Sequence, residues 1–100
     1  MRVSKRPIKE RDVERYLVAR VKILGGEVRK VKWIGRRGAP DRLVMLPVDS
    51  WGRNPTIWIE VKAPGEKAKP HQVREHDRMR AMGQEVFVVD SFTAVDEVLR

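Results

Sequence analysis

In "IKERDVERYLVARVKIL", residues 8–24, apolar side chains recur at Val13, Leu17, Val21 and Leu24, with Tyr16 and Val18 widening the stripe. That is helical spacing with one face turned to a core. Gly25-Gly26 follows, where a helix ends on a left-handed residue. Residues 27–34, "EVRKVKWI", switch to alternation, with Val28, Lys30 and Lys32 set against Arg29, Val31 and Trp33. A period of two predicts a strand. The glycine-rich basic loop "GRRGAP" leads to a second strand over 41–46, and "PVDSWGRNP" reads as a long turn with proline at both ends. Residues 56–63, "TIWIEVKA", predict a third strand rich in β-branched and aromatic residues.

"PGEKAK" connects to a second helix that begins at Pro70, a residue suited to a first helical turn, and runs to Met82 before Gly83. "EVFVVD", 85–90, is a near-continuous apolar run, the pattern of a strand buried on both faces. Asp90 or Ser91 can cap a last helix that reaches Leu99. The predicted order is αβββαβα, an α/β fold whose mixed sheet is flanked by helices. No repeat or low-complexity tract interrupts it, and 100 residues suffice for one core. Residues 1–100 are therefore expected to form a single domain.

An apolar fraction of 41% suits a packed globule. The lack of cysteine excludes disulfides, thiolate zinc sites and thiol nucleophiles. No apolar run approaches the roughly 18–20 residues of a membrane span. The basic "MRVSKRPIKERD" lacks the apolar segment of a signal peptide. The expectation is a soluble, cytoplasmic protein with no membrane partner. Charge narrows the picture further. Twenty-two Lys and Arg against fourteen Asp and Glu give +8. That balance favours a polyanionic partner, nucleic acid ahead of a membrane surface, over a merely solubilising surface. The basic residues are spread along the chain, as suits a folded binding face.

Against this frame, three charged residues stand where strands should bury hydrocarbon. On the third strand Ile57, Ile59 and Val61 point one way, and Trp58, Glu60 and Lys62 the other. Asp41 starts the second strand, on the face of Leu43 and Met45. If these strands are antiparallel neighbours, Asp41 comes close to Glu60 and Lys62. Two carboxylates held together repel unless one is protonated or a cation lies between them. Mg²⁺ meets that need with oxygen ligands while keeping waters for a substrate phosphate. Lys62 is then placed to position or deprotonate the attacking water, or to stabilise transition-state charge. Taken singly, Glu-x-Lys and Pro-Asp are no more than a surface ion pair and a turn. Their order, separation and strand phase together point to a site.

"APD", followed after 18 residues by "EVK", resembles the PD-(D/E)xK nuclease signature of restriction enzymes and Holliday-junction resolvases. The specific likeness is to the VRR-NUC branch, the virus-type replication-repair nucleases, in a stand-alone, phage-like form. Gly38-Ala39-Pro40-Asp41, Glu60-Val61-Lys62, Gly65 and Gln72 follow that branch's pattern in order. The similarity extends to the N-terminal helix and the closing "GQEVFVV". It implies a restriction-endonuclease-like fold, with Asp41 and Glu60 as metal ligands and the Val61 carbonyl as a third. It also implies that Lys62 is the catalytic lysine and that Gln72 reaches the site from the crossover helix. Lys69 departs from the pattern, since the family usually has Ser there as a helix cap. The family also places a Glu of the first helix near the metal. Spacing from Gly25 favours Glu10 by the VRR-NUC pattern and Glu14 by that of the Holliday-junction resolvases, so both are candidates.

Arg36 and Arg37, just before Asp41, are expected to contact phosphates, with Lys30, Lys32, Lys67 and Lys69 extending the track. His76 reads as a core-edge histidine near a Val73–Met79 stripe, and nothing requires His71 at the site. Trp33 and Trp58 read as core or dimer-interface residues, and Trp51 as a possible stacking contact to DNA. The function expected is a Mg²⁺-dependent endonuclease, with Mn²⁺ able to substitute, that hydrolyses DNA phosphodiesters. Branched DNA is the favoured substrate, Holliday junctions first, cut by a homodimer whose two-fold symmetry matches the junction. The rivals are a nicking or flap nuclease in repair or packaging, and a non-catalytic DNA-binding module.

Overall fold

The computed structural model describes residues 6–47 and 56–99. The elements are α1 (Glu10–Ile23), β1 (Glu27–Lys30), β2 (Arg42–Met45), β3 (Thr56–Val61), α2 (Pro70–Ala81), β4 (Val86–Val89) and α3 (Phe92–Leu99), in the predicted order. The sheet order is β1-β2-β3-β4. The first three strands form an antiparallel meander, and β4 joins β3 in parallel after the α2 crossover. The alternation along β3 assigns its two faces. Ile57, Ile59 and Val61 are buried with Val44 and Val89 against Val13, Leu17 and Val21 of α1 and Val95 and Leu99 of α3. Trp58 and Glu60 face the opposite side, where α2 lies.

Several boundaries differ from expectation for physical reasons. The first strand stops at Lys30 rather than Ile34. Val31 still donates to the Asp41 carbonyl at 2.8 Å, but beyond it the chain turns and Ile34 is 92% exposed. β4 is an edge strand, so only Val86 and Val89 are buried, while Phe87 and Val88 are half-covered. The Val73–Met79 stripe is not the packed face of α2. Val73 is exposed, and the buried residues are Glu75 and His76. The last helix is capped by Ser91, whose Oγ accepts from the Ala94 amide at 3.0 Å. The carboxylate of Asp90 instead accepts from the Gly65 amide at 3.3 Å. Trp51 and most of the long turn lie outside the described residues.

Two glycines are required by close approach. A Cβ on Gly26 would stand 2.4 Å from the Met45 carbonyl oxygen, so the exit of α1 can press onto β2 only without a side chain. Gly38 has φ +85°, and a Cβ there would meet the His71 carbonyl oxygen at 2.9 Å. Its absence lets the loop before Asp41 rest on the first turn of α2.

Candidate active site

The register aligns Arg42 with Ile59, so Asp41 stands across from Glu60 at the end of the β2–β3 ladder. Continuing it sets Pro40 opposite Val61. Within β3, the amides of Trp58 and Lys62 donate to β4, to the carbonyls of Glu85 and Val89 at 2.9 Å each. The backbone groups of Val61 therefore face β2. A proline has no amide hydrogen to give, so the Pro40 rung does not occupy the Val61 carbonyl. The proline of "APD" thus leaves an acceptor at the corner where the carboxylates meet.

Glu60 is 12% exposed, and burial drives its carboxyl up to about 7. Lys62 opposes that rise, while the negative charges of Asp41 and Glu10 add to it. Lys62 Nζ lies 3.9 Å from Glu60 Oε2 and donates to Gln72 Oε1 at 2.9 Å. The same Gln72 oxygen accepts from the Lys69 amide at 2.8 Å. One carboxamide therefore makes the N3-to-N-cap bond of a capping box at the start of α2, where Lys69 supplies no side-chain cap, and anchors Lys62. One turn along α2, His76 is 1% exposed, with Nε2 3.7 Å from Glu60 Oε1. Burial first, then Arg80, keep this imidazole below its ordinary pKa. His76 is thus not at the core edge; it backs Glu60 from below. His71 is half-buried against Gly38.

The two candidate glutamates of α1 stand differently. Glu14 is tied to Arg42, Oε1 to Nη2 at 2.9 Å, whereas the charge of Glu10 is felt by Glu60. Arg42 itself escaped the sequence reading. It is 6% exposed, and its Nη1 also meets Asp41 Oδ1 at 2.8 Å. Burial opposes its charge, and Glu14 and Asp41 more than offset that. The available signal was its phase, since Arg42 shares the inward face with Val44 and Leu46. Glu75 was missed as well. It lies buried on α2, where Arg36 forks onto it at 2.9 and 2.7 Å and Arg78 joins at 2.9 Å, holding its carboxyl down to about 2. Arg36 is thus engaged with α2, while Arg37, Lys67 and Lys69 remain exposed.

Among the described residues, no three His, Asp or Glu side chains converge as a ready-made metal cage. The corner instead offers two carboxylates and a strand carbonyl. That set fits Mg²⁺, which binds through one or two carboxylates and keeps waters for a phosphate. A carboxyl raised chiefly by burial, with Asp41 and Glu10 adding to the rise, is a position where a cation relieves repulsion.

Fold and corner together define an α/β domain of the PD-(D/E)xK type. No family model matches the chain. It is 48% identical over 86 residues, 86% of its length and 87% of the relative's, to "Putative nuclease p44" of Acyrthosiphon pisum secondary endosymbiont phage 1. A solved structure described as a VRR_NUC domain superposes with a TM-score of 0.78 at 45% identity, covering 92% of this chain and 95% of the other. The chain belongs to the VRR-NUC family of nuclease domains. Among the described residues, no helix is long and apolar enough to cross a membrane.

Proposed function

We propose that this VRR-NUC domain is a divalent-cation-dependent endonuclease that hydrolyses DNA phosphodiester bonds, with branched DNA, Holliday junctions first, as its substrate. The observation that carries the reading is the largely covered Glu60, its carboxyl raised first by desolvation, beside a lysine anchored by Gln72 and opposite Asp41. Asp41, Glu60 and the Val61 carbonyl would hold the cation, with Mg²⁺ the ion best suited and Mn²⁺ able to replace it. When bound, the cation supplies positive charge against the phosphodiester and lowers the cost of ionising a water. Lys62, steadied by Gln72, donates from its ammonium to the oxygen on which charge develops. Glu10 faces the corner as an outer carboxylate, and Glu14 instead serves to hold Arg42 and, through it, Asp41. Arg37, Lys67 and Lys69 offer exposed cations to the DNA backbone, with Arg36 as a braced, half-exposed one.

A homodimer would present two such corners to a four-way junction of matching symmetry. The test is cleavage of four-way, flap, nicked and continuous duplex DNA with Mg²⁺ or Mn²⁺, with Glu60→Gln as control. The expected result is metal-dependent cutting of the four-way junction that the variant abolishes. Equal cutting of all substrates sinks the junction preference, flap or nick preference supports the repair-type alternative, and cleavage by the variant removes Glu60 from the site. Binding without cleavage under any metal would leave a DNA-binding module.

A further inference from the structure

Beside the catalytic corner, on the α2 side of the sheet, lies an apolar groove that the chemistry above does not use. Trp33 and Trp58 meet there with ring centroids 5.2 Å apart, tilted by 47°. Both indole N–H groups are satisfied, Trp33 Nε1 by the Pro40 carbonyl at 2.8 Å and Trp58 Nε1 by Gln84 Oε1 at 3.2 Å. Those bonds steady the rings. Their carbon surfaces, with Met79 and Met82, line an open groove of about 300 Å³, at the small end of the range for ligand sites. Met82 is 80% exposed and carries the groove's apolar lining out to solvent.

The groove's mouth is charged in one sense. Arg36 and Arg78 line it with half-exposed side chains, both bound to Glu75, whose carboxylate is buried beneath them. Two guanidinium groups on one buried carboxylate leave surplus positive charge facing outward. A second copy of this chain, related by a two-fold axis through the groove, would bring like charges together. An aromatic ring carrying phosphates is complementary to both the lining and the rim.

The groove also adjoins the site. Trp58 precedes Glu60 by two residues on the same face of β3, about 7 Å along the strand. The carbonyl that holds Trp33 belongs to Pro40, next to Asp41. Ile34 follows Trp33 and is almost wholly exposed in the same basic loop, the kind of apolar wedge that unstacks a base step.

We propose that the Trp33–Trp58 groove receives one unpaired nucleobase adjacent to the cleaved phosphodiester, stacked on the indoles, with its flanking phosphates on Arg36 and Arg78. The inference rests on the nuclease reading and gives it a physical basis for preferring branched DNA. A base inside a continuous duplex must be unstacked and unpaired before it can enter. One in a flap is already free, and one at a four-way branch point, though paired, has an interrupted stack and opens at lower cost.

The test is a binding titration of wild-type protein in chelator, on a branched DNA with 2-aminopurine at the unpaired position and on the same DNA with an abasic residue there. Stacking predicts a change in 2-aminopurine fluorescence on binding and an affinity about 5- to 150-fold weaker for the abasic DNA. Met82→Glu, at an exposed position, should weaken base-containing DNA more than abasic DNA, because the lost apolar wall affects only the former while the added charge repels the phosphates of both. Trp58→Leu is the second variant. Equal affinity for both DNAs together with unchanged fluorescence overturns the proposal. So does a Met82→Glu protein that sediments as a monomer where wild type is a dimer, since the groove would then be a protein interface. Cleavage of the same DNAs with Mg²⁺ separates the two readings. Cutting without dependence on the base sinks only the groove, and base-dependent binding without cutting sinks only the catalytic assignment.

Discussion

Glu60 combines in one side chain a cost to folding and the catalytic role proposed for it. An acid whose pKa is higher in the folded state than in the unfolded chain stabilises the fold below its ordinary value of 4.5. That contribution is lost as pH rises through about 7. The Glu60 carboxyl therefore contributes a lower melting temperature at pH 8 than at pH 5 in metal-free protein, a difference that buried His76, held below its ordinary pKa, works against. Glu60→Gln should remove that difference, raising the melting temperature at pH 8 by roughly 4–8 °C for each kcal/mol recovered. Thermal unfolding in chelator reads this, and equal pH dependence in the two proteins would show that the strain lies elsewhere. Saturating Mg²⁺ should stabilise wild type at pH 8 and leave the variant nearly unmoved. Gln72 makes the opposite case. Its one oxygen serves both the α2 cap and Lys62, so Gln72→Leu should cost about 1 kcal/mol of stability. The same change should lower kcat about 10- to 100-fold, as loss of an outer-layer partner does, with KM little changed. A stability loss with full activity would reduce Gln72 to a cap.

At the scale of elements, the candidate site depends on two contacts between segments distant in sequence, Arg42 with Glu14 and Gly38 with His71. Arg42 ties β2 to α1 through Glu14 and steadies Asp41 in the same grip. Arg42→Met should destabilise by about 1–3 kcal/mol, because the partners it leaves are half-exposed and can regain water. Combined with Glu14→Gln in a double-mutant cycle, the change should show coupling well above zero, and additive losses would dissolve the triad. Gly38 lets the Asp41 loop lie against α2. Gly38→Ala should cost about 1–2 kcal/mol from its left-handed backbone alone, and the contact with His71 adds displacement of Asp41. Denaturant unfolding and cleavage should therefore fall together. Much of this architecture was legible beforehand. The period change after Gly26, the Pro70 start and the alternation through Ile57, Ile59 and Val61 each expose a local backbone rule. What stayed hidden depends on neighbours. β1 ended early because its partner strand begins only near Asp41, and Val73 lost the packed face of α2 to Glu75 and His76.

For the molecule as a whole, the surplus of basic residues implies binding dominated by phosphate contacts. The logarithm of DNA affinity should fall linearly with that of salt, by about 10³–10⁵ between 50 and 200 mM if 6–10 phosphates are met. Binding that ignores salt would contradict a basic face. Sedimentation of the free protein and of its junction complex tests the dimer, for which two protomers per four-way junction is the expected count. The fold leaves β4 as an edge strand and groups the aromatic groove, the basic loop and the two carboxylates on one side of the sheet, so one DNA strand can meet all three.

By itself the sequence determined the order of elements, the class of fold and the meeting of Asp41 with Glu60 and Lys62 at one corner of the sheet, because strand phase and the Pro-Asp to Glu-x-Lys spacing are local properties of the chain. Only the tertiary structure decided how those residues are held. It gave Glu14 to Arg42 and left Glu10 to act on Glu60, put His76 beneath that carboxylate, and drew Arg36 down onto Glu75. Each of those outcomes follows from which side chains burial brings within a few ångströms, a quantity set by packing across the sheet and not by any interval along the chain.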